Sequence, residues 1–255
     1  MDFTLKDSYG IGDLLAITAL LRSENGCPWD REQSHQSIRN NFLEEAYEAV
    51  EAIDKADDEM LKEELGDVLF QVVFHSRIAQ EEGGFAFEDV CDRVCQKLIL
   101  RHPHVFGDVT VRDSTEVLGN WDRIKKEEKG QTSAADTLKS VPEVFPALMR
   151  ASKVQSRAGR AGFEINWSKN GFRACNRLLN DLQCQSKESV GSDISLRLGE
   201  LLFLIVSIAR GLGIDSEESL QRFCERFIED FGKLEEAGRV KESDIELLAD
   251  LRDKE

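Results

Sequence analysis

Two pairs of carboxylates at helical spacing are the residues of this chain best suited to chemistry. Glu45 and Glu48 lie in residues 41–53, whose apolar residues recur with the helical period. The predicted apolar arc consists of Phe42, Ala46, Ala49, Val50 and Ile53. Glu45 falls inside this arc and Glu48 lies at its edge. Because a carboxylate directed into a core is costly unless it is paired or binds a metal, this pair predicts a metal site.

The next predicted helix carries the second pair. Residues 65–79 are apolar nearly all round, which is typical of a central helix in a bundle. One polar stripe interrupts them, formed by Glu64, Asp67, Gln71 and His75. Two carboxylates from each of two antiparallel helices would offer four oxygen ligands, which suits Mg²⁺ or Mn²⁺. The alternative is a solvated acidic face without a metal, since acidic helices are common.

Basic residues are few, so their positions are informative. Three of them recur at every fourth residue of the following helix, and two more follow Trp121: Arg93, Lys97 and Arg101, then Lys125 and Lys126. Cations beside a carboxylate cage are what a triphosphate with its metal ion requires. The alternative is that they are solvated and pair with nearby acids. Trp121 would stack on a base or anchor its helix.

The elements that must position these residues are predicted to be helices throughout. Prolines number four, and runs of β-branched residues with a period of two are scarce, which indicates an all-α protein. The predicted helices are 10–24, 34–54, 58–81, 87–101, 115–129, 143–158, 171–186, 193–211, 216–236 and 243–253.

The chain also contains an internal repeat. Residues 65–70 (LGDVLF) recur as residues 198–203 (LGELLF), an offset of 133, and residues 88–99 match residues 217–228. We therefore predict one module at 1–130, a linker at 131–140 and a second module at 141–255. The second-copy residues opposite Glu44, Glu45, Glu48, Glu64 and Asp67 are Arg177, Leu178, Asp181, Arg197 and Glu200. The second module is thus predicted to bind no catalytic metal.

Composition excludes several classes of function. The 255 residues carry a net charge of −16, which argues against direct binding of nucleic acid or of an anionic membrane. The longest apolar run is far shorter than the ~20 residues that a membrane span needs. Six cysteines without a CxxC pair indicate buried free thiols, and the N-terminus has no secretory pattern. We expect a cytoplasmic protein.

Taken together, these motifs resemble those of the MazG nucleoside triphosphate pyrophosphohydrolases. Residues 44–48 (EEAYE) and 64–67 (ELGD) resemble the EExxE and ExxD signature of that family. Residues 26–35 (GCPWDREQSH), 101–108 (RHPHVFGD) and 120–125 (NWDRIK) resemble family segments in the same order. The similarity covers essentially the whole chain, including the tandem arrangement.

The resemblance implies an all-α module of the four-helix-bundle type that dimerises, and Mg²⁺-dependent hydrolysis of a nucleoside triphosphate to monophosphate and pyrophosphate. By motif position the implied metal ligands are Glu45, Glu48, Glu64 and Asp67. The implied nucleotide contacts are residues 41–45, starting at Asn41, with Lys97, Arg101 and Trp121, to which we add Lys125. We take Glu44 as a candidate general base. The alternative function is a non-catalytic helical dimer that senses nucleotides or binds a partner protein.

Overall fold

Every regular element in the described residues is a helix. A computed structural model describes residues 3–128, 130–163, 170–185 and 192–236. In the first half the helices are α1 Ile11–Leu21, α2 Pro28–Glu32, α3 Arg39–Lys55, α4 Asp58–Glu81, α5 Phe87–Arg101, α6 Pro103–Phe106 and α7 Ser114–Glu128. They continue with α8 Ala134–Lys139, α9 Ala147–Arg160, α10 Phe172–Gln185, α11 Ser192–Gly211 and α12 Ser216–Glu236. The prediction of an all-α protein is confirmed.

Several predicted boundaries differ from the structure. The helix predicted at 10–24 ends at Leu21, because the chain folds back so that the Cys27 amide donates to the Leu21 carbonyl at 2.8 Å. A side chain at Gly26 would lie 2.2 Å from two backbone carbonyls, so this turn requires glycine. The helix predicted from residue 34 begins at Arg39, since Ser34 and Ser37 form a local turn. The helix predicted at 243–253 lies outside the described residues.

The contacts divide the chain into two compact units, one through Ile124 and one from Lys125. The segment expected to be a linker contains α8, whose N-terminus is capped by Ser133. The helices of the two units follow the offsets read from the sequence: α3 and α10 begin at 39 and 172, 133 residues apart, and α5 and α12 begin at 87 and 216, 129 apart.

A tight hairpin joins α3 to α4 and makes them antiparallel neighbours. Ala56 ends α3 in the left-handed conformation, with φ of 53°. Asp57 then caps α4, accepting hydrogen bonds from the Glu59 and Met60 amides at 3.1 and 3.0 Å. This hairpin fixes the register in which the acidic residues of α3 face those of α4.

The core of the first unit lies at the C-terminal half of α4. Phe74 and Ile78 are buried there against Ile38, with Phe70 packed beside them. The N-terminal half differs from the prediction of a helix buried all round, since Leu65 is 53% exposed. α4 is therefore open to solvent at Leu65, beside Glu64.

The second unit has a buried apolar cluster between α10 and α11, at the level where the first unit has its carboxylates. Cys175, Leu178 and Leu201 are buried together there. Leu182, Leu204 and Ile208 pack against them. Leu178 is the counterpart of Glu45, and Leu204 and Ile208 are the counterparts of Gln71 and His75. Apolar side chains thus fill the second unit where the first has its polar stripe.

The cysteines are only partly as predicted. All six are free, but only Cys175 is buried, and four are exposed. The expectation of buried thiols was wrong for these four, because they lie on open faces of α5 (Cys91 and Cys95), α10 (Cys184) and α12 (Cys224). In the described part of the chain, no helix combines the length and apolar character needed to cross a membrane.

We predict that Asp57→Ala lowers the free energy of unfolding by about 1 kcal/mol, because it leaves two amides at the start of α4 without their cap. Urea titration followed by circular dichroism would measure this. Asp54→Ala removes an equal charge from an exposed position three residues earlier and should change stability by less than half as much. Equal effects of the two substitutions would contradict the capping role.

Candidate metal centre

The buried face of α3 comprises fewer residues than the apolar arc predicted from its sequence. Ala49 and Ala52 are buried, whereas Val50 and Ile53 are 51% and 59% exposed and Phe42 is also exposed. The predicted arc is therefore wrong on that side, because Ala49 and Ala52, rather than Val50 and Ile53, are the residues buried in this part of α3. Glu45 lies one turn before Ala49 on the same face and is half-buried. Its position beside small residues was predicted correctly.

Three carboxylates from α3 and α4 converge between the two helices of the hairpin. Glu45 and Glu48 of α3 and Glu64 of α4 each offer an oxygen, and these oxygens all lie within 4.8 Å of one another. We call these three residues the acidic triad. Within the described ranges, no other group of three or more histidine, cysteine or acidic residues is as close.

The remaining predicted acidic residues lie outside the acidic triad. Asp67 lies one turn after Glu64 on α4 and is exposed, and it is not among the residues whose oxygens lie within 4.8 Å of one another. Its charge nevertheless contributes to raising the pKa of Glu45 and of Glu64. Glu44 is exposed on α3. Three of the four carboxylates predicted as ligands thus lie together, and Asp67 lies outside their group.

The electrostatics of the acidic triad favour a bound cation. Partial burial, then the charges of Asp67 and Glu48, raise the pKa of Glu45 above its ordinary value. Partial burial, then the charges of Glu48 and Asp67, raise the pKa of Glu64 in the same direction. A divalent cation would turn this repulsion into attraction. An all-carboxylate donor set fits Mg²⁺ or Mn²⁺ rather than a soft metal, so the residues present fit such an ion.

A second group of predicted residues meets where α5 and α7 bring their side chains together. Arg101 is buried, and its guanidinium lies 5.2 Å from the centre of the Trp121 ring. His102 packs edge-on against the same ring at 4.9 Å and donates from Nδ1 to the Leu98 carbonyl at 2.6 Å. His104 lies beside His102, and its Nδ1 is buried without a hydrogen-bond partner. The sequence did not single out His102 as part of this group.

The other predicted nucleotide contacts lie on the same helices. Asn41 is half-buried on α3, one turn before Glu45. Lys97 is half-buried on α5, one turn before Arg101. Lys125 lies on α7, one turn after Trp121, and is the first residue of the second compact unit.

The segment before α3 is held by two interactions that the sequence did not reveal. Buried Arg22 donates to Glu81 at 2.8 and 3.0 Å, and to the backbone carbonyls of Asp30 and Gln33 at 2.5 and 3.1 Å. The Nδ1 atoms of His35 and His75 are 2.8 Å apart, so one ring donates to the other. Burial and then the charge of His35 lower the pKa of His75. His75, the last residue of the predicted polar stripe, thus ties this segment to α4.

We predict that Glu45→Gln raises the melting temperature of the metal-free protein by a few degrees, because it removes one member of a repelling group. The folded-state pKa of Glu45 and Glu64 is raised above 4.5, so the folded chain holds protons that the unfolded chain has released. The free energy of unfolding therefore falls as pH rises from 4.5 through the raised folded pKa. Melting curves in EDTA between pH 4.5 and 7.5 should show a shallower decline in the variant.

The same substitution should abolish most of the rise in melting temperature that Mg²⁺ or Mn²⁺ produces. Glu24→Gln, an equal change at an exposed loop residue, is the matched control and should retain that rise. A metal-induced rise of wild-type size in Glu45→Gln would contradict the assignment of this site.

Comparison with known proteins places these features in one family. Residues 33–106, which include all three members of the acidic triad, match the model of the MazG nucleotide pyrophosphohydrolase domain. The chain is 42% identical over 230 residues to the nucleoside triphosphate pyrophosphohydrolase of Escherichia coli K12, covering 88% of this chain and 87% of that protein. It is 40% identical over 224 residues to the nucleoside triphosphate pyrophosphohydrolase/pyrophosphatase MazG of Thermotoga maritima, covering 88% and 85%. The chain therefore belongs to the MazG family.

Proposed function

We propose that this chain hydrolyses nucleoside triphosphates to nucleoside monophosphate and pyrophosphate, and that it does so in the first module, residues 1–130. The observation that carries the proposal is the acidic triad, whose three oxygens from two helices lie within 4.8 Å of one another. The names of the relatives in Escherichia coli and Thermotoga maritima support the reaction. Such an enzyme would remove unwanted nucleotides from the cellular pool.

In this proposal Glu45, Glu48 and Glu64 hold Mg²⁺, for which Mn²⁺ would substitute, and Asp67 completes the ligand set. The ion supplies neutralisation of the triphosphate charge when it is bound. The carboxylates hold their positions because α3 and α4 are joined by a two-residue turn with a capped helix start. The raised pKa of Glu45 and Glu64 supports the need for a cation here.

The group around Trp121 would bind the rest of the nucleotide. Trp121 is half-buried and presents an aromatic ring on which a base can stack. Arg101 would neutralise phosphate charge from its place against that ring, aided by Lys97 one turn earlier. Asn41 would donate a hydrogen bond to the substrate from the first turn of α3, and Lys125 would add a further cation.

The reaction joins a water oxygen to phosphorus and breaks the bridging P–O bond between the α- and β-phosphates. Glu44 is exposed next to the acidic triad, and we assign it the role of accepting the water proton at a carboxylate oxygen. Arg101 and Lys97 would stabilise the charge that gathers on the departing pyrophosphate. The products are the nucleoside monophosphate and pyrophosphate.

We also propose that the protein is a homodimer. α3 and α4 leave large apolar side chains open to solvent, and among them Tyr47, Val50 and Leu65 are each more than half exposed. An apolar face of this kind on one hairpin is typical of a surface that pairs with another copy. Multi-angle light scattering should give twice the mass of the 28.8 kDa chain, and a monomer at micromolar concentration would contradict the proposal.

The reaction is tested by offering the purified protein each ribo- and deoxyribonucleoside triphosphate and quantifying pyrophosphate and orthophosphate. We expect pyrophosphate with monophosphate, loss of turnover in EDTA, and at least a thousandfold loss in kcat/KM for Glu64→Gln, about 4 kcal/mol of transition-state stabilisation. Glu24→Gln should remain within about twofold of wild type. Orthophosphate as the sole product, or full activity of Glu64→Gln, would refute the assignment. Nucleotide binding without turnover would favour the sensor function instead.

The role of Trp121 is tested by Trp121→Ala, which removes the stacking surface and the partner of Arg101. Because stacking of a base on an aromatic ring contributes about 1–3 kcal/mol, we expect KM to rise about tenfold or more with a smaller change in kcat. Trp121→Phe keeps an aromatic face and should recover most of the affinity. Unchanged KM in the alanine variant would separate Trp121 from the substrate.

A further inference from the structure

The second unit carries an ion pair at the place that corresponds to the acidic triad. Arg197 of α11 is the counterpart of Glu64, and Asp181 of α10 is the counterpart of Glu48. The Arg197 guanidinium nitrogen lies 3.5 Å from a carboxylate oxygen of Asp181, and both side chains are partly exposed. The pair therefore links the two helices of the second hairpin at the level where the first hairpin gathers carboxylates.

The remaining ligand positions of the second unit do not fit a divalent ion. Leu178, the counterpart of Glu45, is buried in the apolar cluster with Cys175 and Leu201. Arg197 contributes a positive charge where a metal would require a negative one. Only Asp181 and Glu200 keep a carboxylate, and Asp181 is already paired.

We infer that Arg197 is a built-in cation, which neutralises the second hairpin's carboxylates in the way that an exchangeable metal ion would neutralise those of the first. This inference rests on the proposed metal site of the first unit for its comparison. A covalently attached guanidinium cannot be removed by a chelator. The second unit is therefore stable without a metal, and the chain binds its divalent ion in the first unit alone.

The inference also accounts for the direction of the other replacements. In the first unit, three carboxylate oxygens lie within 4.8 Å of one another, so like charges face each other across the two helices. In the second unit, leucine replaces one of these carboxylates and arginine replaces another, so the repulsion between them is absent. In the second unit, the number of carboxylates is smaller and the number of buried apolar side chains is larger. Both changes are needed if this pair of helices is to be stable without a ligand.

The test is to reverse the charge at Arg197 in a chain whose first site is disabled. In the Glu45→Gln/Glu64→Gln background, we expect no Mn²⁺ binding at either hairpin by electron paramagnetic resonance of the free ion. Adding Arg197→Glu should restore Mn²⁺ binding at about one ion per chain, because three carboxylates then face one another across α10 and α11. Arg177→Glu makes the same change of charge at an exposed position one turn before Asp181, and it should restore none.

Thermal melting gives a second readout that does not require the reversed variant to fold well. Arg197→Glu in the wild-type chain should melt earlier than wild type in EDTA and recover on addition of Mn²⁺, whereas Arg197→Lys should change little in either condition. Asp181→Asn should lower the melting temperature equally with and without metal. If Asp181→Asn weakened Mn²⁺ binding in the otherwise wild-type chain, or if Arg197→Glu failed both to bind and to respond to Mn²⁺, the inference would be overturned. Failure of the first-unit site would appear separately, as wild-type protein that binds no Mn²⁺.

Discussion

The mutual repulsion of carboxylates held between two helices is the constraint on which the rest of this molecule depends. Glu45, Glu48 and Glu64 are brought within 4.8 Å of one another by a hairpin whose turn leaves little freedom of register. Their repulsion opposes folding, and it is overcome by the packing of Ala49 and Ala52 and by the core farther along α4. Carboxylates that the fold already holds close together bind a cation more tightly than isolated carboxylates would. The free-energy cost of bringing them together is met during folding rather than during binding.

The two units differ in how they deal with the repulsion between carboxylates at corresponding positions. The first keeps the carboxylates, which in the proposed function hold the metal ion. The second replaces the half-buried glutamate by Leu178 and sets Arg197 against Asp181. The two units therefore differ in the side chains at these positions, which are carboxylates in the first and largely apolar or paired in the second.

Much of this could be predicted from sequence, because helical spacing is a strong signal. The period of 3.6 residues identified the helices, and an offset of 133 residues aligned the two copies. The position of Glu45 among alanines followed from the same period. The exposure of Val50 and Ile53 could not be predicted, since an apolar stripe does not state whether its own chain or another copy covers it. The sequence spacing carries no information about three other contacts, because they join residues distant in sequence. These are the hydrogen bonds of Arg22, the pairing of His35 with His75 and the edge-on contact of His102 with Trp121.

The location of the metal tests the account most directly. Crystals grown with Mn²⁺ would be measured near the manganese absorption edge, where anomalous scattering identifies the ion without reference to activity. The account predicts an anomalous peak within coordination distance of Glu45, Glu48 and Glu64, and none between Asp181 and Arg197. A peak at the second hairpin, or a bound ion that touches none of the three glutamates, would contradict it.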